Sequence, residues 1–216
     1  MTLTVLCVWV AGHVPFTPDY VVRLRSMARR ALPPHRFVCL TDHPERLPAD
    51  LETRPARVPP GCKGWWAKVQ LFDPTLTVAG RLLYLDLDTL VVDDLTPLVE
   101  YPAEFALAPD GAPNFRPRDG TACVHRFNSS AMVWDHGSQA HLFRQWVPGV
   151  ARRLWGDQDW IGEQCPGAAV MPAAWFPRIS DAPGPAWPPG ARVILCKKPK
   201  NAEAARRWHW VAEAWQ

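Results

Sequence analysis

A chain of 216 residues with a net charge of +3 is long enough for one domain with a sizeable core. Its charge is modest and forms no basic arm or long run, which excludes nucleic acid as the default partner. Proline, at 24 residues, is about twice the ordinary share of roughly 5%, so short elements and stiff loops are expected.

The six cysteines, at 7, 39, 62, 123, 165 and 196, show no CxxC pair and no zinc spacing. The amino-terminal run carries no charged leader and no small-residue cleavage site. Together these predict free thiols and a reducing cytoplasm. No apolar run has the length of a membrane span.

Apolar runs alternate with amphipathic ones, the pattern of an α/β domain with a largely parallel sheet. Leu3–Val10 reads as the first strand. Asp19–Ala31 reads as a helix, its apolar face made by Val21, Val22, Leu24, Met27 and Ala28, and Pro33-Pro34 stop it. Arg36–Leu40 is a short second strand. A proline-containing loop leads to a short helix, Gly64–Phe72. Leu82–Leu87 is the next strand.

Phe105–Ala108 and Phe127–Trp134 read as further strands, and His141–Val147 as a helix. Gly156–Glu163 opens a short helix, where Asp157 can cap free N–H groups. The segment 172–191 holds six prolines and reads as an irregular loop. Arg192–Cys196 is a late strand, and 202–216 a C-terminal helix. No internal repeat or linker divides 1–216, so a single domain is expected.

The sharpest feature is Arg81-Leu-Leu-Tyr-Leu-Asp-Leu-Asp-Thr-Leu-Val, where an apolar strand runs into Asp86 and Asp88. Side chains alternate along a strand, so both carboxylates are expected on one face, opposite Leu85 and Leu87. Two acids placed together repel unless a cation joins them. Mg²⁺ or Mn²⁺ is the natural choice, because such hard cations take oxygen ligands and share them with substrate phosphates. The chemistry this predicts is metal-assisted, on a phosphorylated donor. Asp93 and Asp94 read as ordinary turn and helix-start residues.

Two enzyme families place D-x-D after an apolar strand. Dehalogenase-type phosphatases carry D-x-D-x-T near the chain start, whereas Thr89 here follows Asp88 directly, some 85 residues in. Asp86-Leu-Asp88 more closely resembles the metal motif of nucleotide-sugar-dependent glycosyltransferases with the GT-A fold, of the family 8-like group. Four more segments follow that family's order. Phe37–Asp42 is similar to its second strand, and Gly64–Phe72 to the helix before the acids. Phe127-Asn-Ser-Ser resembles its FNSG-type strand and Gly156-Asp-Gln-Asp its DQD segment.

The resemblance implies roles. Asp86 and Asp88 would hold Mn²⁺ or Mg²⁺ against the donor diphosphate, and Lys68 would reach a phosphate or a sugar hydroxyl. Asn128 and Ser129 would bind the donor sugar. Asp157 would hold its hydroxyls, with Gln158 beside the anomeric carbon. Trp9, Val10 and Ala11 would meet the nucleotide. The family's third metal ligand is a histidine followed by a Gly-x-Lys-Pro-type stretch. Here Cys196 stands in the histidine's place, with Lys198 and Lys200 as phosphate contacts. A thiolate is a soft ligand and suits these cations poorly. Either the two acids, diphosphate and water hold the metal, or the site has changed.

The expected protein is therefore a retaining hexosyltransferase using a UDP-sugar and an unidentified glycan, lipid or protein acceptor. Trp175 and Trp187, in the proline-rich segment, are expected acceptor aromatics, and Trp65 and Trp66 read as core or acceptor-platform aromatics. A non-catalytic sugar-binding protein and a phosphatase stay open as alternatives, as does the oligomeric state. Trp208, Trp210 and Trp215 could touch a membrane or a partner, although packing back onto the domain is more economical.

Overall fold

In β1 (Leu3–Trp9), alternate side chains feed two separate cores, which defines the architecture. Leu3, Val5, Cys7 and Trp9 enter one core, and Leu6 enters the other. A strand buried on both faces reads as a continuous apolar run, and such strands belong to parallel sheets covered by helices on either side. The computed structural model describes residues 2–12, 16–110, 127–182, 184–196, 204 and 207–216.

After β1 come α1 (Pro18–Ala31), β2 (Arg36–Thr41), β3 (Glu52–Pro55), a run of 3₁₀ turns over Gly64–Phe72, and β4 (Arg81–Leu85). Next are β5 (Leu90–Val91), α2 (Thr96–Val99), β6 (Phe105–Pro109), β7 (Phe127–Asp135), α3 (Ala140–Arg144), α4 (Pro148–Arg153) and α5 (Asp157–Gln164). The described order closes with β8 (Ala169–Val170), β9 (Val193–Ile194) and α6 (His209–Ala214). The main sheet runs β3-β2-β1-β4-β7-β6-β8, and β5 pairs with β9 in a small second sheet.

Within the main sheet only β7 runs against the others. That reversal matters for the site. It brings the first residues of β7 to the edge where β1, β2, β4 and β6 end. The first core holds α1, Leu98 of α2 and Trp210 of α6, and the second holds the 3₁₀ segment with apolar residues of α3, α4 and α5. This is the single α/β domain, mostly parallel and flanked by helices, that the sequence predicts.

Several expectations are revised. β4 stops at Leu85, so Asp86 follows the strand and Asp88 lies in a turn, closed by Thr89 N–H and Oγ1 donating to the Asp86 carbonyl at 3.2 and 2.7 Å. Strand alternation therefore does not set the direction of Asp88. Gly64–Phe72 is 3₁₀ rather than α-helical, and β3 lies in what read as loop. The helix expected over His141–Val147 ends at Arg144, with α4 after it. β5 and β8, at two residues each, are too short to leave a periodic signal.

Of the expected C-terminal helix, α6 is described. Trp215 packs on Tyr20 with ring centroids 5.1 Å apart, and the Trp210 indole donates to the Gly184 carbonyl. These rings pack back onto the domain. Among the described residues no helix is long and apolar enough to cross a membrane.

Candidate functional site

Tyr84 shares a strand face with Leu82, toward the second core. Asp86 is two residues further on, and its N–H still donates to the Ser130 carbonyl at 2.8 Å, continuing the β4–β7 ladder. The same parity brings Asp86 back to the side where the 3₁₀ segment and α5 lie. Tyr84 Oη accordingly donates to Asp86 Oδ1 at 2.5 Å.

Lys68, on the 3₁₀ segment, lies 2.8 Å from Asp86 Oδ1 and 3.6 Å from Asp157 Oδ2. Its ammonium also approaches Ser129 Oγ at 3.5 Å. Burial pulls the Lys68 pKa down, but Asp157, Asp86 and Asp88 reverse this and hold it well above the usual lysine value. Burial raises the Asp157 carboxyl, partly offset by Lys68 and by a hydrogen bond with Ser129. The Tyr84 hydroxyl is pushed up by burial and then by Asp86.

Asp157 opens α5 after Gly156. The capping expected of it is provided by Asp159, whose Oδ2 accepts from the Gly156 and Trp155 amides at 3.0 and 3.2 Å. Asp157 is left to face Lys68. Among the described residues no hydrogen-bond donor reaches Asp157 Oδ2, although that oxygen is buried. A buried carboxylate oxygen that lacks a donor is costly unless something fills the gap.

Gln158 is held at both ends. Its Oε1 accepts from the Ser129 amide at 3.4 Å, and its Nε2 donates to Asp110 Oδ2 at 3.3 Å. Asp110, at the end of β6, also pairs with Arg178 at 3.2 Å. Asn128 Oδ1 accepts from the Ser130 amide at 2.7 Å.

Lys68, Asp86, Asn128, Ser129, Asp157 and Gln158 thus line one cleft of about 270 Å³, with Trp65 and Trp155 on its walls. A larger hollow of about 550 Å³ lies elsewhere, between α1, β5 and α6, and holds none of this chemistry. Asp88 is buried and near enough to Lys68 to raise its pKa. The end of β1 lies at the same sheet edge, but Trp9 and Val10 are core side chains. Ala11 is half-buried, and its amide donates to Asp42 Oδ1 at 2.9 Å.

Carboxylate oxygens such as those of Asp86 and Asp88 are hard donors of the kind a divalent cation takes, but Asp86 Oδ1 already accepts from Tyr84 and pairs with Lys68. Cys196 does not complete a metal site. It packs against the first apolar core, and among the described residues no group of three His, Cys, Asp or Glu side chains is arranged to hold a metal. Lys198 and Lys200 lie outside the described residues.

Sequence reasoning missed Tyr84, Asp110, Trp155 and Arg178. Tyr84 reads as one more apolar strand position and Asp110, before Gly111, as a turn residue. Nothing local singles out Arg178.

No family model matches the sequence, and no curated protein matches it. Solved structures do match the fold. The galactosyltransferase LgtC, in complex with donor and acceptor sugar analogues, superposes with a TM-score of 0.59 at 17% identity, covering 82% of this chain and 76% of that one. An active-site mutant of LgtC gives 0.62 at 16%, with 82% and 75% covered. The glycosyltransferase GlyE of Streptococcus pneumoniae TIGR4 gives 0.56 at 14%, with 81% of this chain and 47% of that one. The fold is therefore GT-A-like, as in LgtC. At these identities the likeness is one of fold.

Proposed function

We propose that this chain is a glycosyltransferase that moves a hexose from a nucleotide diphosphate sugar, a UDP-hexose, to an acceptor hydroxyl with retention of configuration. The bond between the anomeric carbon and the diphosphate breaks, and the acceptor oxygen bonds that carbon. The acceptor's proton leaves with the departing nucleotide. Asp157 carries this reading: its carboxylate belongs to a residue lining the cleft, paired at 3.6 Å with a buried lysine, and its buried Oδ2 has no hydrogen-bond donor among the described residues. A sugar hydroxyl in the cleft would be held by this carboxylate.

Lys68 stays protonated and places a fixed positive charge beside the position of the diphosphate, where preorganised charge favours departure of an anion. Asn128 and Ser129 face the donor sugar, and Gln158, held at both ends of its amide, stands beside the anomeric carbon. With Trp9 and Val10 in the core, the end of β1 meets the nucleotide through its main chain and Ala11. Asp86 and Asp88 would hold Mn²⁺ or Mg²⁺, which when bound neutralises charge on the leaving diphosphate. Lys198 is assigned to the diphosphate from its sequence position alone.

One assay tests the reading. A panel of nucleotide sugars with Mn²⁺ is followed for nucleotide release and thermal shift. Release abolished by Asp88→Ala supports the transferase. A shift with no release points to a sugar-nucleotide-binding protein, and phosphate released without nucleotide dependence to a phosphatase.

A further inference from the structure

Five large apolar side chains are exposed among the described residues: Val22, Trp65, Val147, Trp155 and Trp187. Single exposed apolar residues need no explanation. Trp65 and Trp155 are different, because although 90 positions apart they line the same cleft as Asp157 and Gln158. They are 37% and 44% exposed, and the Trp65 indole N–H donates to the Trp155 carbonyl at 2.8 Å.

The Trp65 ring is held in place against the Trp155–Gly156 main chain. A side-chain carbon at Gly156 would stand 3.3 Å from Trp65 Nε1, so a residue with no side chain lets the indole close over that turn. The Lys63 ammonium lies 4.9 Å from the Trp65 ring centroid. Indoles offer large, rigid contact area, and their π-faces attract positively polarised hydrogens. The cleft residues around them are polar: Asn128, Asp157 and Gln158.

We infer that Trp65 and Trp155 form the acceptor platform of this cleft, and that the acceptor presents a pyranose ring. A pyranose is amphipathic in the matching sense. One face carries C–H bonds, which stack on an aromatic ring, while its edge carries hydroxyls for the polar wall. A lipid tail leaves that polar wall unsatisfied, and a peptide hydroxyl makes little use of two indoles. The acceptor role rests on the transferase reading above; sugar binding by the two indoles does not.

Trp65 is among the aromatics the sequence offers for this role, whereas Trp175 and Trp187 lie elsewhere. Trp175 packs edge-on against Tyr101, 6.0 Å between centroids, with Arg192 5.5 Å from its centroid. Trp187 packs against Trp210 and lines the hollow between α1, β5 and α6.

The test begins without donor. Saturation-transfer NMR is recorded with methyl hexopyranosides, lactose and maltose on the wild type, Trp65→Ala, Trp155→Ala, Trp155→Phe and Trp187→Ala, each confirmed folded by circular dichroism. Pyranoside binding that weakens about tenfold in either cleft alanine variant, persists in Trp187→Ala and returns with Trp155→Phe is the expected result. In turnover with a nucleotide sugar, the acceptor KM rises about tenfold in the alanine variants while the donor KM holds within about twofold.

Equal pyranoside binding by wild type and both cleft alanine variants overturns the platform, as does no binding by the wild type. So does wild-type sedimentation with phosphatidylglycerol vesicles that Trp155→Ala abolishes, without any pyranoside signal, since that surface would be a membrane contact. Tryptophan-dependent pyranoside binding without nucleotide release from any sugar nucleotide sinks the transferase reading and upholds the sugar platform. Nucleotide release with an acceptor KM unmoved in both variants sinks the platform alone.

Discussion

Lys68 and Asp86 form a 2.8 Å ion pair that is largely shielded from water and ties the 3₁₀ segment to the end of β4. The same ammonium faces Asp157 at the start of α5, so one cation holds together carboxylates from two elements. A buried charge that loses its partner is strongly destabilising, whereas the intact pair itself adds little net stability.

Lys68→Met should therefore cost about 3 kcal/mol of stability near pH 7, read as a lowered urea midpoint with an unchanged slope. The loss should shrink in acid. Burial raises the Asp157 pKa in the folded state, so a proton there favours folding, and that contribution is lost as pH rises through the folded value. Removing Lys68 raises this carboxyl further and widens that window. Lys68 itself is raised, so its contribution is complete below the ordinary lysine value and lost as pH climbs through the higher folded one. Urea midpoints measured across pH should show wild-type stability falling in strong alkali, with a shallower fall in Lys68→Met, where the raised Tyr84 hydroxyl and Cys7 thiol still contribute.

Tyr84→Phe removes the hydrogen bond to Asp86 Oδ1 without changing the shape of a residue that is 1% exposed. Hydrogen bonds to charged groups contribute roughly 1.5–3 kcal/mol, and Asp86 keeps Lys68, so a cost of about 1.5 kcal/mol is expected. Thermal unfolding of the two proteins side by side measures it.

Asp88→Asn should weaken Mn²⁺ binding in the presence of UDP about tenfold or more, measured by titration calorimetry, because a neutral amide replaces one of two hard anionic ligands. Cys196→Ser should leave that affinity within about twofold. An equal loss in both variants would restore the thiol as a ligand.

Asp110 bridges Gln158 and Arg178, and so acts as a positioning residue for the Gln158 amide. Asp110→Asn and Arg178→Ala should each lower kcat about tenfold with the donor KM within about twofold. The double variant should lose little more than either single one, since both break the same chain of contacts.

Gly80 sits at φ +75°, and a side-chain carbon there would lie 2.1 Å from the Thr2 carbonyl oxygen. Gly80→Ala combines backbone strain with a clash of the new side-chain carbon against the Thr2 main chain, and should cost on the order of 2 kcal/mol in chemical denaturation.

Much of the sheet was legible in local pattern. Leu3–Trp9 and Arg81–Leu85 are apolar runs bounded by turn residues, and the amphipathic α1 stops before Pro33 as expected. Five segments in family order also drew Lys68, Asp86, Asn128, Ser129, Asp157 and Gln158 together, and the structure brings these six to one cleft. The two-residue strands, and the 3₁₀ winding of Gly64–Phe72, were not legible. Short pairings are imposed by neighbours, and a compact apolar segment winds as α or 3₁₀ according to what it packs on.

The sequence by itself determined which side chains alternate between two cores, and hence an α/β domain with acids at the end of a central strand. Its period-2 and helical patterns are local properties, written in neighbouring residues. Only the tertiary structure decided that Cys196 packs against the apolar core. It also set Trp155 beside Trp65 and Asp110 between Gln158 and Arg178. Those meetings span up to 90 positions and depend on the order of the sheet, above all on the reversed β7, which no local pattern encodes.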